Sequence, residues 1–326
     1  MRSRWLGLLA VCLTACNAKT PVAPSLAIGD TTSSGSMAFL PLAPPASSAP
    51  PGPSAAPIET PTPRPTPTEA PAEVGVLVAQ GFAQAVRIVD VRTGRMLAAQ
   101  PQPLWLGPSM PHVSRDGREV VYATQTSHGE QLVLWDLVHD AEVSIPQLTN
   151  ADAREPDLDA DGNALVYITD DAFQKQVTLF DRRLGEAHTL PIPKAFCVGA
   201  REPTLSGDGR VAAYVMDSAR GDADIVVVDV ATGRPVTVPQ LNTVYDETEP
   251  ALSEDGKTLL FVSNRNGSQD VFAVDTATGN ALDTSAFNSF ADETWPRFVG
   301  PQDDTIAYVS AASGPPALVA QQFQRR

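Results

Sequence analysis

From about residue 110 onward, short apolar runs of about five residues alternate with polar turns, and no stretch carries the period of an amphipathic helix. The runs come in pairs. "EVVYA", "ALVYI", "VAAYV", "TLLFV" and "TIAYV" make one set. "LVLWD", "VTLFD", "IVVVD" and "VFAVD" make a second set, each ending in aspartate, and "VRIVD" precedes them all. Runs of this length, rich in Val, Ile, Leu, Tyr and Phe, predict buried strands. Ahead of the pairs stand Pro111, Pro156, Pro203, Pro250 and Pro296, at intervals of 45, 47, 47 and 46. Two places after each proline is an apolar residue: Val113, Leu158, Leu205, Leu252 or Phe298. Behind each pair comes a more polar stretch carrying Pro146, Pro191, Pro193 or Pro239. Proline suits an edge strand and is excluded from a central one.

The turns fit the same plan. Asp116–Gly117, Asp161–Gly162, Asp208–Gly209 and Asp255–Gly256 fall between the first and second strands of their units. Glycine there supplies a positive φ, and the aspartate accepts local amides. Asp90, Asp136, Asp181, Asp229 and Asp275 close the third strands and can accept amides of the next turn. Four strands recurring at this period predict a propeller blade. The expected fold is all-β: a six-bladed β-propeller of four-stranded antiparallel blades over residues 73–326. The first unit lacks an opening strand and the last lacks a closing one.

"TEPALSEDGKTLLFVSNRNGSQDVFAVDTATG", from Thr248 to Gly279, resembles the TolB-type propeller repeat, a WD-like unit. "REPTLSGDGRVAAYV" and "REPDLDADGNALVYI" are similar to it as well. The resemblance implies the propeller fold. TolB proteins carry an α/β domain ahead of the propeller and bind the peptidoglycan-associated lipoprotein; this chain has a proline-rich stretch in that place, so the partner is not carried over.

The first residues read differently. Arg2 and Arg4 precede an apolar run from Trp5 to Ala15, too short to span a bilayer and typical of a secretory signal. Leu13, Thr14, Ala15 and Cys16 resemble the lipobox of bacterial lipoproteins. That resemblance implies a signal peptide of residues 1–15, acylation of Cys16 and lasting attachment through several acyl chains. Asn17 in the next position implies, by the enterobacterial rule, an outer-membrane location facing the periplasm. Residues 16–72, with fourteen of the 30 prolines, predict a disordered tether, because large apolar groups are too few to offset its ordering entropy.

Charge narrows the partners. Arg2, Arg4, Lys19 and Arg64 outnumber Asp30, Glu59 and Glu69 by one, so residues 73–326 carry −16 of the total −15. No basic stripe exists, which argues against nucleic acid. Cys197 would be the one free thiol after processing and reads as a packed small hydrophobe. Asp157, Asp159 and Asp161 imitate the start of a calcium loop, but Leu165 and Ile168 stand where later ligands belong, so no metal is expected. There is no G-x-S-x-G and no H-E-x-x-H, and no cofactor or catalytic residue is expected.

One feature stands apart from the fold. Asp152, Glu155, Glu202, Asp246, Glu247, Glu249, Asp292 and Glu293 cluster just before the repeated prolines. At one mouth of the axial channel they would form an acidic rim for a basic segment of a partner or for a cation. The expected function is a lipid-anchored, monomeric, non-catalytic scaffold binding another envelope protein. The alternative is a small-ligand, glycan or cation binder using the channel, with Trp105 and Trp295 as candidate aromatic contacts.

Overall fold

The structure, a computed structural model, describes residues 111–325 with their side chains, except 116–117, 127–128, 149–151, 171–174, 193–198, 219–220, 300–301 and 315. Before residue 111 it describes the backbone of strands only. Strands β1 (Ser25–Ile28) and β2 (Thr31–Ser34) form an antiparallel hairpin. The repeat begins with a sheet of β3 (Met37–Leu42), β4 (Ala72–Ala79), β5 (Ala85–Asp90) and β6 (Met96–Pro101). The next holds β7 (Ser109–Val113), β8 (Glu119–Thr126), β9 (Gly129–Asp136) and β10 (Ala141–Glu142). A third holds β11 (Ala153–Leu158), β12 (Ala164–Asp170), β13 (Lys175–Asp181) and β14 (Glu186–Thr189). The fourth holds β15 (Arg201–Leu205), β16 (Val211–Asp217), β17 (Ala223–Asp229) and β18 (Arg234–Val236). The fifth holds β19 (Glu247–Leu252), β20 (Thr258–Ser263), β21 (Asp270–Asp275) and β22 (Ala281–Leu282).

Six four-stranded blades are expected from the sequence; the structure has five. The sheet of the last unit stops at three strands, β23 (Glu293–Val299), β24 (Thr305–Ser310) and β25 (Ala317–Gln322). The closing strand that the sequence pattern lacks in this unit is lacking in the sheet as well. The amide of Phe323 donates to the carbonyl of Asp304, and its buried ring packs against Phe287 and Phe298. The same amide-to-carbonyl bond closes the third strand of the four-stranded blades, as from Thr276 to Lys257; the last sheet differs in that no outer strand pairs with β25. The opening strand of the first sheet comes from Met37–Leu42, inside the stretch expected to be tether, and pairs with β4 from Leu77 back to Ala72. β3 packs against both β7 and β23.

Apolar faces meet sheet on sheet. Ile168 and Val177 pack with Tyr214 and Met216 of the next blade, and Ala213 and Ile225 with Leu259 and Phe261 of the one after. Each buried side chain of this size contributes about 1.5–3 kcal/mol. Middle strands have a sheet on each side, so β20 is buried at every residue, while outer strands β10, β14 and β18 are exposed throughout. Gly162, Gly209 and Gly256 have φ of 68°, 69° and 65° in the first turns. Asp208 and Asp255 accept the amides of Arg210 and Lys257 there. Asp116 and Gly117 lie outside the described residues, as do Cys16, Trp105 and Cys197. Among the strand-closing aspartates, Asp181 accepts from Arg183 and Leu184, and Asp275 from Ala277 and Thr278.

The strand order fixes two faces. Connections between blades and the hairpins joining second to third strands lie on one face, called here the connection face. The Asp–Gly turns and those between third and outer strands lie on the other, the turn face.

Candidate functional site

Each inner strand from β7 onward breaks register at its proline: between Ser109 and His112, Arg154 and Asp157, Arg201 and Thr204, Thr248 and Ala251, and Thr294 and Arg297. Proline has no N–H for the ladder, and the strand accommodates it as a bulge. The residue before the proline takes a left-handed φ: 50° at Glu155, 52° at Glu202, 53° at Glu249 and 55° at Trp295. A side chain in that conformation leaves the strand's own alternation. Glu155 thereby reaches the next blade, accepting the amide of Glu202 at 2.6 Å. Glu202 accepts the amide of Glu249 at 2.7 Å, and Glu249 that of Trp295. The three glutamates form a relay in which each carboxylate satisfies the bulged amide of its neighbour.

Burial pushes the carboxyl of Glu155 above the usual range. Burial, reinforced by the charge of Glu202, pushes Glu249 up to about 8. Near neutral pH the relay thus ends in a largely protonated acid. Trp295 replaces glutamate in the last unit, and the relay stops there.

The other members of the expected rim take two different positions. Glu247 and Glu293 are fully buried. Glu247 accepts from Thr243, Ser263 and Arg265, and Glu293 from Ser289 and Ser310. Asp152, Asp246 and Asp292 are exposed on the connection face and pin the preceding blade, accepting the amides of Glu130, Ala223 and Gln269. Arg154 pairs with Asp170 in its own blade and Glu130 in the preceding one, whereas Arg201 pairs with Glu202 and Asp217 within its own blade.

The sequence pattern gave no sign that the residue after each proline would face the axis. His112, Asp157, Thr204, Ala251 and Arg297 all occupy that place and line one axial cavity of about 50 Å³. The Asp157 carboxylate is saturated. One oxygen meets His112 Nδ1 and the Leu158 amide, each at 2.8 Å; the other meets Thr204 Oγ1 at 2.8 Å and the Leu205 amide at 2.9 Å. Burial alone would raise its pKa, but His112 and Arg297 outweigh it and hold the carboxyl below the usual range. Arg297 donates from one terminal nitrogen to His112 Nε2 at 3.4 Å and from the other to the Pro296 carbonyl at 2.9 Å. The ring thus presents Nδ1 to Asp157 and Nε2 to Arg297. Burial pushes the Arg297 guanidinium down from its ordinary value, against the pull of Asp157 and Glu249. An Asp–His pair can serve a general base, but here Arg297 covers the outward nitrogen. The cavity is also far below the roughly 300–1,000 Å³ of substrate clefts.

At the turn-face end, Arg115 from the unit of β7 pairs with Asp303 from the last unit. Asp303 also accepts the Glu254 amide and Arg325, each at 2.6 Å. A single buried carboxylate therefore ties three units together. Among the described residues no group of three His, Cys, Asp or Glu is arranged for a metal. Asp157 and Asp159 serve different partners: the axis, and the Ala164 amide of the turn.

The connection face also carries apolar side chains. Phe290 is 108% exposed, Val244 71% and Tyr245 48%. Val244 and Phe290 are 46 residues apart and equivalent in adjacent blades, each followed within two residues by the exposed Asp246 or Asp292. Beside them, Val244, Tyr245, Asp246 and Asn264 face Gly221 and Asp222 across a groove of about 320 Å³. An apolar residue in an otherwise polar connection was the legible signal for this patch.

No family model matches the chain, and no curated protein does. Solved structures do. TolB from Acinetobacter baumannii is similar with a TM-score of 0.58 at 18% identity, over 76% of this chain and 60% of that one. A TolB-like protein from Agrobacterium tumefaciens gives 0.50 at 15%, over 64% and 75%. Oligogalacturonate lyase from Vibrio parahaemolyticus gives 0.51 at 14%, over 77% and 75%. The chain spans 60% of the length of the Acinetobacter TolB. The structural neighbours are TolB-like β-propellers, and this chain is a β-propeller; some neighbours of the same shape are enzymes.

Proposed function

We propose that this chain is a lipid-anchored protein of the cell envelope whose propeller is a non-catalytic scaffold for another protein, docked on the connection face. One observation carries the reading: Val244 and Phe290 stand exposed at equivalent places of adjacent blades, with Tyr245 exposed beside Val244, flanked by Asp246 and Asp292. Exposed aromatic groups supply interface anchors, and the rim of carboxylates selects a partner segment with basic residues. Loops held by a rigid sheet scaffold are suited to that task. The acidic residues buried in the relay and beneath the loops hold the face in shape, leaving Asp152, Asp246 and Asp292 exposed for the partner. The anchor at Cys16 would hold the propeller at the membrane, most simply the outer membrane on its periplasmic side.

The test is capture of neighbours by affinity purification from a solubilised envelope, comparing wild type with a Tyr245→Asp, Phe290→Asp variant. Loss of a discrete protein from the variant, with its melting temperature retained, supports the reading. An unchanged set of captured proteins contradicts it.

A further inference from the structure

Arg297 presents an unusual situation on the propeller axis. Its Nε is sealed from solvent and has no hydrogen-bond partner among the described residues. One terminal nitrogen meets backbone carbonyls, of Pro296 at 2.9 Å and Pro250 at 3.5 Å; the other has only the long contact to His112. No described carboxylate lies within ion-pair distance. Asp157, the ionised acid of the cavity, has both oxygens filled by four other donors. Glu249 is engaged with the Trp295 amide, and burial and Glu202 raise its pKa to about 8; Glu202, the third carboxylate whose charge reaches Arg297, is itself taken by Arg201 and the Glu249 amide. The inner strand β3, Met37–Leu42, contains no ionisable residue that could serve instead. A guanidinium with little access to solvent is costly unless paired and hydrogen-bonded, and Arg297 is only partly exposed.

Directly beside it is the cavity of about 50 Å³, lined by His112, Arg115, Asp157, Thr204 and Arg297. A water needs roughly 10–15 Å³ by this measure, so the space holds a few waters or a small ion with water, and not a sugar. Arg115 is already committed to Asp303 and Glu254 at the turn-face end.

We infer that the axial cavity is a binding site for a small monovalent anion, a halide or a carboxylate of the size of formate, held by Arg297 beside His112. The anion supplies the acceptor that Arg297 lacks, while Asp157 fixes the imidazole ring that borders it. The site is separate from the connection-face patch and does not depend on it.

The experiment uses the whole chain. Chloride-35 NMR line width is followed on adding protein, with formate as competitor and gluconate, too large for the cavity, as control. In parallel, the melting temperature is recorded in chloride, formate and gluconate at equal ionic strength. The inference expects protein-dependent broadening that formate reverses and gluconate does not. It also expects a saturable rise in melting temperature with chloride. In Arg297→Gln the apparent affinity should fall by roughly tenfold or more. Should that variant fail to fold, bromide is introduced into wild-type crystals, where an anomalous peak beside Arg297 is expected. Broadening that gluconate suppresses as well as formate, an anion response unchanged in Arg297→Gln, or an axis without bromide would overturn the assignment.

Discussion

The carboxylate of Glu202 accepts the backbone amide of Glu249 at 2.7 Å across the boundary between two blades. The two residues are 47 positions apart and occupy the same place in successive units. The bond therefore repeats with the fold, and it explains why glutamate precedes proline in unit after unit. Cutting it leaves a buried amide without an acceptor. Glu202→Ala should destabilise the propeller by about 1–3 kcal/mol, and Glu202→Gln, which keeps an acceptor, by less. Denaturant unfolding of the two variants checks the order.

Glu249 gives the relay a pH dependence. Its folded pKa of about 8 lies above the ordinary carboxyl value, so the folded state binds the proton more tightly than the unfolded chain. Its contribution is therefore full below the ordinary value and declines as pH rises toward about 8. Glu249→Gln keeps the acceptor for Trp295 and removes the titration. The variant should match wild type at pH 5 and exceed it in melting temperature at pH 8. Parallel curves for the two proteins would refute this.

Asp303 is the closing clasp. It is 1% exposed and joins Arg115, Arg325 and the amide of Glu254. Asp303→Ala leaves Arg115 short of its main partner in a confined site and should cost about 3–5 kcal/mol. Arg325→Ala removes a more exposed partner and should cost about 1 kcal/mol or less. Thermal unfolding of both variants distinguishes a clasp from an incidental ion pair.

Two glycines of equivalent turns differ in what surrounds them. A Cβ on Gly279 would lie 2.2 Å from the carbonyl oxygen of Pro239, whereas one on Gly233 meets nothing within 4 Å. Both have positive φ, so alanine at either costs about 1–2 kcal/mol from backbone conformation alone. Gly279→Ala should cost clearly more than Gly233→Ala, measured as the difference in unfolding free energy.

Much of the fold could be read in the chain because a blade cannot vary its bend. Pro156, Pro203 and Pro250 recur where the inner strand bulges, and Gly162, Gly209 and Gly256 where the first turn needs positive φ. The blade count could not be read so directly. "TIAYV" in the last unit looks like its counterparts, and the lack of a closing strand there was legible, but not that no other strand would pair with β25 to complete the blade. The site was harder still. A residue before proline is ordinarily extended, which would leave Glu202 pointing outward as part of a rim. Its left-handed φ sends the carboxylate into the neighbouring blade instead. His112, Asp157 and Arg297 were visible as letters, but only the register shift at each bulge turns them to one axis. What a sequence does carry is their contrast with Ala251, the apolar residue at the same place.

The connection face is the one proposed to meet a partner. A photo-crosslinking amino acid placed at Phe290, and separately at Leu184 in an exposed turn of the opposite face, tests that in living cells. Crosslinks to a discrete envelope protein from position 290, and none from position 184, are the predicted result. Crosslinks from 184 alone, or equal yields from both faces, would contradict it.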